Sequence, residues 1–246
     1  MNENTGKNWL VVALIVMLGL VLSSYILTQG LVQLKTAGNT ITVTGSAKQQ
    51  IKSDLIVWSG TYTAQSPALT DAYQNLQDSQ KKVKAYLTSK GLDEKEMVFS
   101  SINTNINREM LSNGQYTNRI ESYSLNQTVE IRSKEVDKIT RLSREATELI
   151  NQGVEFQSNP PQYFYTKIAD LKVKMLSKAT ADAFTRAKQI ADNAKSEVGS
   201  LRGAKMGVIQ ITPLYSNEIS DYGINDTSSL DKEITAVVNC NFEIKD

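Results

Sequence analysis

Ser79-Gln-Lys-Lys82 has the spacing that sets a serine hydroxyl one helical turn from a lysine able to take its proton, and Ser101-Ile-Asn103 imitates the second motif of penicillin-binding enzymes. The set is incomplete, because no Lys-Thr-Gly occurs and Lys35-Thr36-Ala37 falls beside the apolar N-terminal segment. A solvated helix face is the reading, since lysine-rich helices generate Ser-x-x-Lys by chance. Asp221, Asn225, Asp226 and Asp231 crowd one stretch with the oxygen ligands that calcium wants. An EF-hand counted from Asp221 needs glycine sixth and glutamate twelfth, where this chain has Asp226 and Lys232. A polar surface loop and no metal site are expected there. The acids Asp93, Glu94 and Glu96 fall at a helix-to-strand connection, where solvated charge is expected.

The chain has no histidine. That excludes Ser-His-Asp and Cys-His nucleophile pairs, His-rich zinc sites and the two-His metalloprotease helix. No phosphate-cradling Gly-x-x-x-x-Gly-Lys-Ser/Thr loop occurs and no Gly-x-Gly-x-x-Gly follows a strand, so no cofactor or small-molecule ligand is identifiable. Carboxylate or lysine chemistry is what remains. With Lys7, Lys35 and Glu3 set aside, basic and acidic residues balance in the rest of the chain, and nothing there steers nucleic acid. Cys240 is the single cysteine, so no intrachain disulfide is possible. It lies in an apolar alternation and reads as a small core residue.

Between Lys7 and Lys35 there is no charged residue, and Trp9 to Thr28 is almost wholly apolar. About 20 apolar residues at 1.5 Å each cross a hydrocarbon core, so this segment is expected to be a transmembrane signal anchor. A cleaved signal peptide has a shorter apolar core and a small-x-small site, of which Thr36-Ala37-Gly38 is the nearest imitation. The expected anchor runs along Leu14, Leu18 and Leu22, with Trp9 and Tyr25 near the two interfaces. The division expected is a short cytoplasmic tail over 1–8, the anchor over 9–28, a linker over 29–39 and a domain over 40–246 outside the cytoplasm. A body of about 210 residues can build its own core.

Period and punctuation give the elements that must position any site. Ile41 and Val43 alternate with threonines, and Leu55, Val57 and Ser59 alternate with Ile56, Trp58 and Gly60, so two strands open the domain. Ser66-Pro67 starts a helix with the stripe Leu69, Ala72, Tyr73, Leu76, Val83 and Leu87, ended by Gly91. Val98, Ser100, Ile102, Thr104 and Ile106 alternate, Asn113-Gly114 turns the chain, and Tyr123, Leu125, Gln127, Val129 and Ile131 return. After Ser133 a second helix carries Val136, Ile139, Leu142, Ala146 and Leu149, with Gly153 past its end, then a short strand with Val154 and Phe156. The longest helix is expected from about Tyr165 to Val198, with Ile168, Leu171, Met175, Ala179, Ala183, Ala187, Ile190 and Ala194 on one side and Gly199 as its stop. Alanines at that spacing let a helix lie close on a sheet. A strand around Met206–Thr212, a polar loop and a last strand with Ile234, Ala236, Val238, Cys240, Phe242 and Ile244 on one face complete the chain. The expected class is α+β: a mostly antiparallel sheet carrying about three helices, preceded by one transmembrane helix. Tyr163, Phe164 and Tyr165, beside two prolines, read either as core or as an interface patch.

Ile41-Thr-Val-Thr-Gly45-Ser-Ala, followed by Ser53-Asp54 and the strand into Gly60, resembles the Val-x-Gly-x-Gly…Pro-Asp opening of the bacterial SIMPL-domain proteins, the DUF541 or 26 kDa periplasmic immunogenic protein family. Tyr123–Ile131 resembles that family's tyrosine-led strand, Gly153-Val-Glu-Phe156 its Gly-x-x-Phe step, and Ala179–Gly199 its alanine-rich helix. The likeness covers about Thr40 to Ile244. Ala47 stands where the family has its second glycine and Ser53 where it has proline. The resemblance implies an extracytoplasmic, self-associating, non-catalytic domain linked to envelope and oxidative stress, with a homo-oligomer and the membrane as partners. Asp54 looks like the family's most constant polar position. An aspartate at a strand start is a turn or cap former, and the alternative is a hydrolase using its carboxylate.

Overall fold

The computed structural model describes residues 13–14, 16–28, 39–112 and 114–245. Its elements, in order, are strand β1 (Thr40–Lys52), β2 (Leu55–Ser66), helix α1 (Leu69–Ser89), β3 (Met97–Phe99), β4 (Asn103–Met110), β5 (Tyr116–Ser133) and α2 (Val136–Glu145). There follow β6 (Glu155–Ser158), β7 (Gln162–Phe164), α3 (Ile168–Asn193), β8 (Glu197–Met206), β9 (Gln210–Pro213) and β10 (Asp231–Lys245). The α+β class is as expected, with antiparallel sheets. Residues 16–28 are helical, and no helix among the described residues is long and apolar enough to cross a membrane. Leu14, Leu18, Leu22 and Tyr25 are described and exposed, whereas Trp9, with residues 10–12 and 15 of the expected span, lies outside the described residues.

The chain divides into two compact units. One comprises Lys48–Val173 and Val208–Thr235. In it β5, β2 and then β6 and β7 lie side by side, with β3 and β4 on the far edge of β5. β2 turns Ile56, Trp58, Gly60, Tyr62 and Ala64 inward, and α1 and α2 cover that face with the buried residues Leu76, Val83, Leu87, Ile139 and Leu142. Period-2 alternation against period-3.6 stripes builds this core. α1 ends as its glycine predicts: Gly91 takes a φ of 82°, Leu92 N–H donates to Leu87 O and Gly91 N–H to Thr88 O, which closes the last turn. Gly153, at φ 75°, ends the 3₁₀ turn Ala146–Gln152 in the same conformation.

The other unit comprises Met1–Ala47, Lys174–Gly207 and Ala236–Asp246. Its strands are ordered β1, β10, β8. Met175, Ala179, Ala183, Ala187 and Ala191 are buried along α3, while Val43, Val238, Cys240 and Phe242 are buried in the strands. A Cβ at residue 45 would lie 2.1 Å from Ala179 O, so Gly45 and the small residues of α3 together allow a close approach. Ser46 N–H donates to the Asp182 carboxylate at 2.8 Å.

Several details differ from expectation. α1 begins at Leu69 with Ala68 as its cap residue, and Ser66 accepts only a long 3.4 Å bond from Ala68 N–H; Leu69 and Tyr73 stay exposed. β3 turns Met97 inward and Val98 outward, because the capping box of Asp93 and Glu96 around the turn Glu94–Glu96 delivers the chain with Met97 opposite Ile131. Those acids cap a turn rather than merely face solvent. Lastly α3 ends at Asn193: Lys195 adopts φ 59° and Ser196 N–H returns to Ala191 O, so Ala191 closes the stripe while Ile190 and Ala194 are exposed. Gly199 sits inside β8, an element absent from the expected order, and β9 holds only the end of the expected Met206–Thr212 strand.

A Cβ at residue 60 would lie 2.1 Å from the ring of Phe156, which itself packs on Trp58 at 6.4 Å between centroids. Gly60→Ala should therefore cost about 1–3 kcal/mol in chemical denaturation, and Phe156→Leu in the same chain should recover part of it. Gly45→Ala should cost more, since the obstructing atom is backbone and cannot swing aside.

Candidate functional site

Asp54 stands in the two-residue break between β1 and β2. Its carboxylate accepts from Thr166 N–H and from the Thr166 hydroxyl, each at 2.7 Å, and its own N–H donates to Phe164 O at 2.9 Å. Burial pushes this carboxyl up, but the two Thr166 bonds and the positive charge of Lys167 outweigh it and hold it below its ordinary value. Ser53 beside it is buried; its N–H donates to Leu230 O at 2.9 Å, which a proline could not do, and its hydroxyl has no partner among the described residues. A groove of about 530 Å³ runs past these residues, lined also by Lys52, Lys134, Glu135, Asp137 and Lys138. Lys52 pairs with Asp137 at 3.2 Å and Lys138 with Glu135 at 2.8 Å, so most of the charge lining the groove is matched.

The same corner holds a buried cation. Lys232 is 2% exposed, and its ammonium donates to Tyr163 O at 2.7 Å and to Asp226 O. Burial lowers its pKa, and the nearby Asp226 carboxylate partly offsets this. Asp226 in turn accepts from Ser228 N–H at 2.9 Å and Ser229 N–H at 3.2 Å, while Tyr163 N–H donates to Thr227 O at 2.8 Å. Polar groups that leave water must be paired, and here three distant segments, 53–54, 163–166 and 226–232, supply one another's partners. Lys232 was not singled out by its sequence surroundings, although a signal exists. It shares the inward parity of Ile234, Ala236, Val238, Cys240 and Phe242.

The remaining candidates disperse. Ser79 is buried while Lys82 donates to Gln152 O at 2.9 Å, and Asn103 Nδ2 reaches only Asn126, so the Ser-x-x-Lys set is not assembled. Of the acidic loop, Asp226 is engaged as described, and no group of metal-ligating side chains stands among the described residues. The aromatic trio splits: Tyr163 is buried with its hydroxyl 3.2 Å from Thr140 Oγ1, and Phe164 and Tyr165 are half-buried.

The geometry now accounts for the motif positions one by one. Gly45 and Gly60 admit close neighbours, Gly153 supplies a left-handed cap, Phe156 fills the space above Gly60, Tyr123 packs against the core and Asp54 ties Thr166. A family model described as "Protein of unknown function (DUF541)", SIMPL, matches residues 41–242. The chain belongs to the SIMPL family. No curated protein matches it. Within this SIMPL domain the Ser53-Asp54 step, with serine in place of the expected proline, turns tightly enough for Asp54 to reach Thr166.

Two predictions follow from this corner. Lys232→Met leaves the carbonyls of Tyr163 and Asp226 without their donor, and should cost about 2–4 kcal/mol in urea denaturation. For Asp54 the folded pKa lies below the unfolded one, so its contribution is complete above the ordinary value of 3.8 and is lost as the pH falls through the lowered folded value. Asp54→Asn should therefore cost about 1–2 kcal/mol at neutral pH, and the gap from the parent chain should narrow when both are unfolded near pH 3.

Proposed function

We propose that this chain is a membrane-tethered SIMPL domain that works outside the cytoplasm by self-association rather than by catalysis. The observation that carries the tether is the N-terminal segment: it is uncharged from residue 8 to residue 34, and its described helical residues expose Leu18, Val21, Leu22, Ile26 and Leu27 to their surroundings. Such a surface requires an apolar cover, and a bilayer supplies one. The neutral, histidine-free body supports the non-catalytic reading, as does the engagement of Asp54 with Thr166, which makes its carboxylate a weak base. Self-association and a place in the envelope or oxidative-stress response rest on the family resemblance.

The full chain should pellet with membranes, resist extraction by alkaline carbonate and leave the membrane only with detergent. Protease added to intact cells stripped of their outer layers should degrade the body. Recovery in the carbonate supernatant would overturn the tether, and protection from protease would overturn the orientation. Loss of a cellular phenotype in Asp54→Asn at unchanged thermal stability would instead favour the hydrolase alternative.

A further inference from the structure

β8 ends its sheet: among the described residues it pairs only with β10, and its other edge is open along ten residues. Open edges of that length recruit another strand unless they are blunted; this one contains no proline, and its blunting consists of Arg202, Lys205 and two bulges, which select what can pair with it. It also carries unspent apolar surface on the face that α3 covers. Leu201, the register partner of Phe242, is 48% exposed and Met206, the partner of Val238, is 56% exposed. Phe184 of α3, edge-on to Phe242 at 5.8 Å, is 46% exposed beside them.

Two extra residues on β8 break its register with β10, one between Leu201 and Gly203 and one between Val198 and Leu201. Those bulges kink the edge on either side of Leu201, and Glu243 fixes them through Arg202 at 2.8 Å and Ser200 at 3.0 Å. A regular strand fits such an edge poorly. A second copy turned about a two-fold axis through Leu201 fits it, because the same rotation carries one kink onto the other. In that register Val198 faces Ala204 of the other copy on the helix-covered face. Glu197 faces Lys205 of the other copy on the opposite face, twice per pair. Neither residue is held in an ion pair among the described residues, although Lys245 of β10 stands opposite Glu197 in the register.

We propose that β8 is the contact through which two copies of this chain pair, antiparallel and centred on Leu201, joining their sheets edge to edge. The occupant is a second copy because the edge is self-complementary in charge, in kink and in apolar face. This inference rests on the self-association reading and names its surface.

The test uses the full chain in detergent or nanodiscs. Leu201→Cys should give a disulfide-linked dimer on mild oxidation, since directly opposed strand residues approach to about 5 Å. Tyr222→Cys, on a loop residue 98% exposed, should not. In sedimentation, Glu197→Lys and Lys205→Glu should each weaken association about tenfold, as two cross-strand pairs turn repulsive. The double exchange, which restores opposite charges across the axis, should return it to within about twofold of the parent. An associating chain with no Leu201→Cys link and no rescue by the exchange overturns this surface while leaving self-association standing. A parent chain monomeric at every concentration overturns both.

Discussion

The larger of the two compact units depends on one ladder, the eleven-pair antiparallel register from Ile56↔Ser133 to Ser66↔Tyr123 that joins β2 to β5. A strand inside a sheet has no choice of face once its neighbours are set, and a slip of one residue would turn Trp58 and Tyr62 into solvent. β2 is also the strand on which β6 and β7 hang, so its register sets where Phe156 and Tyr163 arrive. Gly60 then has a necessary identity: it is the position in β2 across which the Phe156 ring lies. Even the polar interior obeys this ladder. Trp58 donates its indole N–H to Ser158 at 3.0 Å and the Ser158 hydroxyl donates to Ser143 O at 2.6 Å, so the buried donor is satisfied by the strand that the register brings alongside.

Much of this was legible in the chain because burial on one face leaves a trace. β10 alternates cleanly from Ile234 to Phe242, α2 carries its stripe through the 3₁₀ turn to Leu149, and Gly91 and Gly153 mark the two left-handed caps. β8 left no trace, for the reason that makes it an edge: nearly all of its residues are exposed, and glycine, serine, arginine and lysine follow no alternation. The stop of α3 was misplaced because Lys195 takes a conformation usually reserved for glycine, while Gly199, four residues on, looked like the stop.

Asp54 shows where reading from sequence reaches its limit. Its residue type and its place at a strand start announce a capping group, and it is one, but the group that it ties lies 112 residues away at Thr166. Long-range polar pairing has no period and no local motif. Lys232 is sharper still: parity places it inward, charge argues against that, and only the arrival of the Tyr163 carbonyl from 69 residues away, joined by that of Asp226 in its own segment, resolves the conflict.

These arrangements bear on what kind of work the domain can do. Three charged groups drawn wholly or partly out of water are bound to backbone: Asp54 to the Thr166 N–H, Asp226 to the Ser228 and Ser229 N–H groups, Lys232 to two carbonyls. A group held so acts poorly as a proton carrier, since changing its charge would leave those bonds without a counterpart. Rigidity of this kind suits a domain whose function lies in its surfaces. The surfaces left incomplete are then the places to look, and they are of two kinds. One is the N-terminal helix over residues 16–28, whose Leu18, Val21, Leu22, Ile26 and Leu27 are exposed. The other is the edge of β8, which among the described residues pairs only with β10.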